Sequence, residues 1–373
     1  MKKRNLSFSR MVWMFSVFLT LFPSAANARV SAARERNKAV IGASKDKCLR
    51  DDSQTISHEI HVQRELATGI LANADTVGTF QSVTGANSAD IHFQLADGLI
   101  YIQASLNGSE PLWMMLDTGS SVTVFDESVS KALGIRFLGE GIAHGPGQGS
   151  AQKLAFTSHA TLRFAGEELG DQTVATLPLE WFSREVGRRT DGFLGSNIFR
   201  NYVVEIDYAN QVLRLHDPAT YAYSGPGQRL PLRFVWDDIP TVRAEVVAQD
   251  GTAITGVFLV DSGATTAVWL TKAFTEAHPE FLSEHETIEV PNVVAVGGEL
   301  SARLGRLSGL RLGGFLVSMP LTQFSQNISG IFATPNITGT IGAQMLRRFT
   351  VIFDYAHREM ILEPNEHFGD PSE

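Results

Sequence analysis

The sequence has almost no cysteine: Cys48 is the single one in 373 residues. One thiol excludes an intramolecular disulfide framework and any multi-cysteine metal site. Charge is sparse, at 19% of residues, and leans acidic, with 31 Lys and Arg against 40 Asp and Glu. No basic stripe is present, which argues against a nucleic-acid binder. What the chain does have is 43% hydrophobic residues and 33 glycines. It is too apolar for disorder, long enough for more than one core, and turn-rich in the manner of β folds.

The first 28 residues read as an export signal. Lys2, Lys3, Arg4 and Arg10 form a positive start, and Met11 to Phe22 is an apolar run of 12 residues. That run is short for a bilayer core of about 30 Å. Ala26-x-Ala28 supplies the small-residue cleavage site. The expectation is an exported protein, periplasmic or secreted, with no membrane span once the signal is cleaved; an uncleaved anchor is the alternative. Cys48 follows Lys45-Asp46-Lys47, which is not a lipid-attachment context. Losing four positive charges and no acids takes the net charge from −9 to −13, so the mature chain does not favour anionic membranes.

Residues 29–88 show no sustained apolar periodicity and read as a linker or pro-segment, partly disordered. His58-Glu59-Ile60-His61 lacks the His-Glu-x-x-His spacing that puts two imidazoles on one helical face, so it carries no metal assignment.

From about residue 89 the pattern changes to short alternating runs separated by turns. Ile91 to Leu95 alternates, Leu99 to Leu106 reads as a strand, and Asn107-Gly108 as a turn. Leu112 to Leu116 is a continuous apolar run, as a strand buried on both faces requires, and it ends at Asp117-Thr118-Gly119. The order recurs later: Leu230 to Phe234, Val242 to Val247, the turn Asp250-Gly251, then Val257 to Val260 running into Asp261-Ser262-Gly263. Gly192-Phe193-Leu194-Gly195 precedes Gly339-Thr340-Ile341-Gly342 by 147 residues, as Asp207-Tyr208 precedes Asp354-Tyr355. The two Asp-x-Gly motifs are 144 apart. Four landmarks in one order at nearly one offset indicate a duplicated β unit, with Ala222 to Gln228 as the joint. Two related lobes, 89–223 and 224–368, are expected around a pseudo-twofold axis that sets equivalent residues face to face.

A single Asp-Thr-Gly is weak, since such tripeptides are common at turns. Two of them, each delivered by an apolar strand to a buried place, are not. A buried carboxylate must be hydrogen-bonded; the following glycine lets backbone approach, and the Thr or Ser hydroxyl can brace the loop.

Leu116-Asp117-Thr118-Gly119-Ser120-Ser121 and Val260-Asp261-Ser262-Gly263-Ala264-Thr265 resemble the aspartate loops of the pepsin and retropepsin superfamily of aspartic proteases. The similarity is greatest to bacterial retropepsin-like enzymes, here as two copies in tandem. Phe193-Leu194-Gly195 and Thr340-Ile341-Gly342 resemble the hydrophobic-hydrophobic-Gly element beside each loop, Thr340 being a departure. The resemblance implies an all-β, bilobal acid-protease fold, two β-barrel-like lobes with the active site between them. It implies Asp117 and Asp261 as the catalytic pair, about 3 Å apart, sharing one proton and titrating as a unit. Thr118 and Ser262 would brace the loops. Gly119 and Gly263 would donate backbone N–H groups, and Ser120 a hydroxyl near Asp117. Ala264 cannot do the same near Asp261, so activity is expected to extend toward neutral pH.

An extended polypeptide substrate would lie under mobile hairpins. The candidates are Gly141 to Gly149, with His144, Gly145 and Gly147, and Val294 to Glu299, with Gly297 and Gly298. Neither has the tyrosine of pepsin-like flaps. Phe125, Trp181, Phe182 and Trp269 are candidate pocket or core residues, and Asp207 and Asp354 read as structural. No cofactor or metal is implied, and a monomer is expected. The alternatives are an inactive peptide- or ligand-binding protein on the same fold, or an unrelated β-sandwich.

Overall fold

The computed structural model describes residues 18–22, 80–81, 90–145, 152–236, 238–296, 298–326 and 336–371. Cys48, the His58 to His61 stretch, Gly147 and Gly297 lie outside these, as do nearly all of 1–28 and 29–88.

The all-β class is what the structure shows, and the arrangement is consistent with a bilobal acid-protease fold. Two large sheets share one strand order. In the first, the hairpin Gly139–His144 and Gln152–Phe164 leads to Glu167–Leu177, Thr123–Asp126, Gly192–Leu194, Leu112–Leu116 and Leu99–Leu106. In the second, the hairpin Ile288–Ala295 and Gly298–Arg306 leads to Leu321–Ser325, Val268–Leu270, Gly339–Gly342, Ala253–Asp261 and Ile239–Val247. We call the two sheets, with their attached helices, the first and second lobes.

A six-stranded sheet ties the lobes together. Its central pair joins Val203–Asp207 to Phe349–Asp354 in antiparallel register, Val204 opposite Phe353 and Asp207 opposite Thr350. The two aspartates that read as structural end these strands. Asp207 accepts from the Asn210 N–H (3.0 Å), and Asp354 from the His357 N–H (3.0 Å) and Nδ1 (2.7 Å).

Each large sheet buries both faces, which is why its central strands read as unbroken apolar runs. One face of both sheets feeds a common core containing Met114, Leu116, Phe258, Val260 and Ile341. The opposite face of the first sheet carries its own cluster around Tyr101, Met115, Phe182 and Phe193. That of the second carries a cluster around Leu259, Trp269, Leu300 and Leu304. Phe125 belongs to the common core, Phe182 and Trp269 to these separate clusters, and Trp181 packs half-buried on the first.

Within the apolar core of the expected signal, Phe18–Phe22 forms a strand antiparallel to Gly139–His144, Phe18 opposite His144. No helix among the described residues is long and apolar enough to cross a membrane.

Candidate active site

Asp117 follows the strand Leu112–Leu116 directly. That strand pairs in parallel with Gly192–Leu194, and the Asp117 N–H donates to the Leu194 carbonyl at 3.0 Å. Asp261 ends the equivalent strand, which pairs in parallel with Gly339–Gly342 so that Asp261 lies opposite Gly342. Each hydrophobic-hydrophobic-Gly element therefore forms the bed beside its own aspartate loop.

The two loops interlock. The Thr118 hydroxyl donates to the Val260 carbonyl (2.8 Å) and accepts from the Ser262 N–H (2.9 Å). The Ser262 hydroxyl donates to the Leu116 carbonyl (2.9 Å) and accepts from the Thr118 N–H (3.0 Å). Four buried hydrogen bonds thus cross from lobe to lobe at the residues that follow the aspartates.

The same crossing brings the carboxyls together. Gly119 donates its N–H to Oδ1 of Asp117 and Gly263 to Oδ1 of Asp261, both at 2.8 Å. Each glycine also lies against the opposite acid. A Cβ on Gly119 would sit 2.7 Å from Cγ of Asp261, and one on Gly263 2.8 Å from Cγ of Asp117. No other side chain fits, because the carboxyl groups fill that space.

Both aspartates are fully buried. Burial pushes the Asp117 carboxyl well above the usual carboxylate range, and the Asp261 charge beside it adds to the rise, while the Gly119 N–H pulls the other way. With both groups ionised, Oδ2 of Asp117 has no donor; the Asp261 carboxyl becomes one when it carries a proton. One shared proton satisfies the geometry that two negative charges strain.

Ser120 departs from expectation. Its hydroxyl donates to the Val122 carbonyl at 2.7 Å, so it stiffens its own loop and adds no donor at Asp117. A hydroxyl with a carbonyl two residues ahead closes a local turn in preference to reaching back. Each loop gives its own acid one glycine N–H. The expected asymmetry between Ser120 and Ala264 does not reach the carboxyls.

The two hairpins meet at their tips. Gly145 lies so close to Val296 that a methyl group there would overlap the Val296 carbonyl. Ala295 is buried with the second lobe's cluster, whereas its neighbour Val296 is buried with the first lobe's, so this tip bridges the lobes. His144 is exposed at the end of its strand. Gly298 opens the returning strand of the second hairpin with φ +115°, a conformation that suits glycine.

No curated protein sequence matches the chain significantly. The aspartyl protease family model matches residues 102–198, the stretch holding Asp117, the loop after it and the Phe193-Leu194-Gly195 bed.

Proposed function

We propose that the chain is an exported aspartic endopeptidase whose two lobes, 89–223 and 224–368, are copies of one retropepsin-like unit. The observation that carries this reading is the buried, interlocked Asp117–Asp261 pair, one acid from each lobe. The family match supports a protease function and a polypeptide substrate. The basic start, apolar run and Ala-x-Ala sequence support export.

The chemistry uses one proton more than the ionised pair holds. The ionised carboxylate takes a proton from a water molecule between the two acids, and the resulting hydroxide forms a bond to the peptide carbonyl carbon. The neutral partner gives its proton to the carbonyl oxygen, so the tetrahedral intermediate is a neutral gem-diol. The first acid then returns its proton to the nitrogen as the C–N bond breaks, and the diol proton restores the second acid. Proton count is conserved over the turnover.

Incubation of the purified protein with a denatured protein from pH 3 to pH 8, beside Asp117→Asn, tests the reading. Cleavage by the wild type and none by the variant is expected. No cleavage at any pH, or equal cleavage by the variant, assigns the cleft to binding. N-terminal sequencing of the protein from cells distinguishes a linker, starting at Arg29, from a removed pro-segment, starting near residue 85.

A further inference from the structure

The clusters facing the hairpins can be compared strand by strand. Across the first lobe the aligned residues are Phe156, Ala175, Val124, Phe193, Met115 and Tyr101. Across the second they are Leu304, Gln323, Trp269, Thr340, Leu259 and Thr241. The first row is apolar, and the Tyr101 hydroxyl at its end is bonded to Thr190 Oγ1 at 3.0 Å. Thr241, at the same end of the second row, donates to the Arg233 carbonyl at 3.0 Å. Gln323 and Thr340 are different. Both are fully buried, and neither the two amide atoms of Gln323 nor Oγ1 of Thr340 has a hydrogen-bond partner among the described residues.

A buried carboxamide without partners is costly, and the fold does not demand one: the first lobe has Ala175 and Phe193 at these places. Gln323 and Thr340 flank Trp269, about 10 Å apart across three strands. They share a face with Leu259, two residues before Asp261, while Phe324 beside Gln323 points into the common core. Ala264 of the second aspartate loop and Ala295 of the hairpin tip close the same cluster.

We propose that this face is a polar specificity pocket, in which Gln323 and Thr340 receive an uncharged hydrogen-bonding side chain of the substrate, a carboxamide above all. The proposal rests on the peptidase reading and names the substrate class for it. A scissile bond placed between Asp117 and Asp261 lies near the pseudo-twofold axis, so its two flanking residues meet one lobe each. The first lobe offers an apolar surface; the second offers a donor-acceptor pair from Gln323 and a hydroxyl from Thr340. A carboxamide satisfies both kinds of atom at once. Neither Gln323 nor Thr340 carries a charge that could pair with a charged side chain.

The test is cleavage of peptides of the form apolar–X and X–apolar at the scissile bond, with X as Gln, Asn, Leu, Met, Glu or Lys. Wild type, Gln323→Met and Thr340→Val are compared. The wild type is expected to favour Gln or Asn over Leu or Met on one side of the bond by roughly tenfold or more in kcat/KM. Either variant should reduce or reverse that preference. Gln323→Met should melt no lower than wild type, since it removes an unpartnered polar group from an apolar surround. A wild type that prefers apolar residues on both sides overturns the proposal. So do variants that keep the carboxamide preference, or a Gln323→Met that melts lower with its preference unchanged. The same set made as uncleavable reduced-bond peptides is measured by fluorescence anisotropy. If nothing is hydrolysed but the Kd values show the preference and its loss in the variants, the pocket stands and the peptidase reading falls. Kd values blind to X and to both variants overturn the pocket.

Discussion

The two lobes are alike where they hold the acids and unlike where they would hold a substrate. At the loops the match is near complete: each aspartate has one glycine N–H at 2.8 Å, and each following hydroxyl reaches across to the other lobe's strand. On the faces under the hairpins, Ala175 stands opposite Gln323 in the comparison, and Phe193 opposite Thr340. The proposed reaction needs two equivalent carboxyls and would constrain the first set to symmetry. Recognition of two different side chains has no such need, so the faces are free to diverge.

The largest effect should come from breaking the symmetry of the acids. Asp117→Asn or Asp261→Asn removes the proton-transfer partner and is expected to lower kcat by about 10³-fold or more. The two should be equally damaging, as a pair acting as a unit requires. Asp117→Asn also carries a pH signature. The folded state holds this acid's pKa above its unfolded value, so its stabilising contribution is complete below about pH 3.9 and is lost as pH rises through the folded value. The variant lacks that loss. It should melt higher than wild type at pH 7, with the gap closing toward pH 4, as scanning calorimetry across that range would read.

Next come the hydroxyls that join the loops. Thr118→Val removes one donor and one acceptor from a buried four-bond crossing and leaves the Ser262 N–H and the Val260 carbonyl without partners. A cost of about 2–4 kcal/mol is expected in denaturant unfolding. Activity should fall by about tenfold or more, because small displacements of reacting groups are expensive. Ser262→Ala should do the same. The double variant should cost less than the sum, since both changes dismantle one network.

Smaller again is the hairpin tip. Val296 spans the lobes, whereas Ala295 beside it stays with its own. Val296→Ala removes two buried carbons, about 1.5 kcal/mol of burial. Closure should weaken roughly tenfold, seen as faster amide exchange in both Gly139–His144 and Gly298–Arg306. Faster exchange in the second hairpin alone would mean that the tip does not tie the lobes together.

What was legible in the sequence is what local chain chemistry dictates. A run such as Leu112 to Leu116 reads as a strand covered on both faces, and an Asp-Thr-Gly at its end reads as a buried carboxylate with a glycine N–H beside it. The mates Phe193-Leu194-Gly195 and Thr340-Ile341-Gly342 are visible because they recur at an offset of 147 residues, and their place beside the aspartate loops is what the family resemblance implies. Gln323 was not visible. A glutamine between Thr322 and Phe324 reads as the polar member of an alternating strand, and only a hairpin folded over that face buries it. Val296 was hidden likewise inside a glycine-rich turn, since its contact belongs to the other lobe. Thr340 stands out in the sequence as a polar departure, but its meaning depends on Trp269 and Gln323, which the chain brings beside it only on folding.

The smallest effect concerns Ser120, where the lobes differ in residue but not in what reaches the acid. The second lobe has Ala264 at this position, and the Ser120 hydroxyl is engaged with the Val122 carbonyl at 2.7 Å. Ser120→Ala therefore puts the same residue at this position in both loops without touching either carboxyl. A stability loss of about 1 kcal/mol is expected for the deleted hydrogen bond, with both limbs of the pH–rate profile where the wild type has them. A carboxyl that lost a donor would be harder to ionise, and the limb it governs would move to higher pH. Such a displacement in the variant would show that the hydroxyl turns toward Asp117 during turnover, and that the acids are less evenly supported than their glycine bonds indicate.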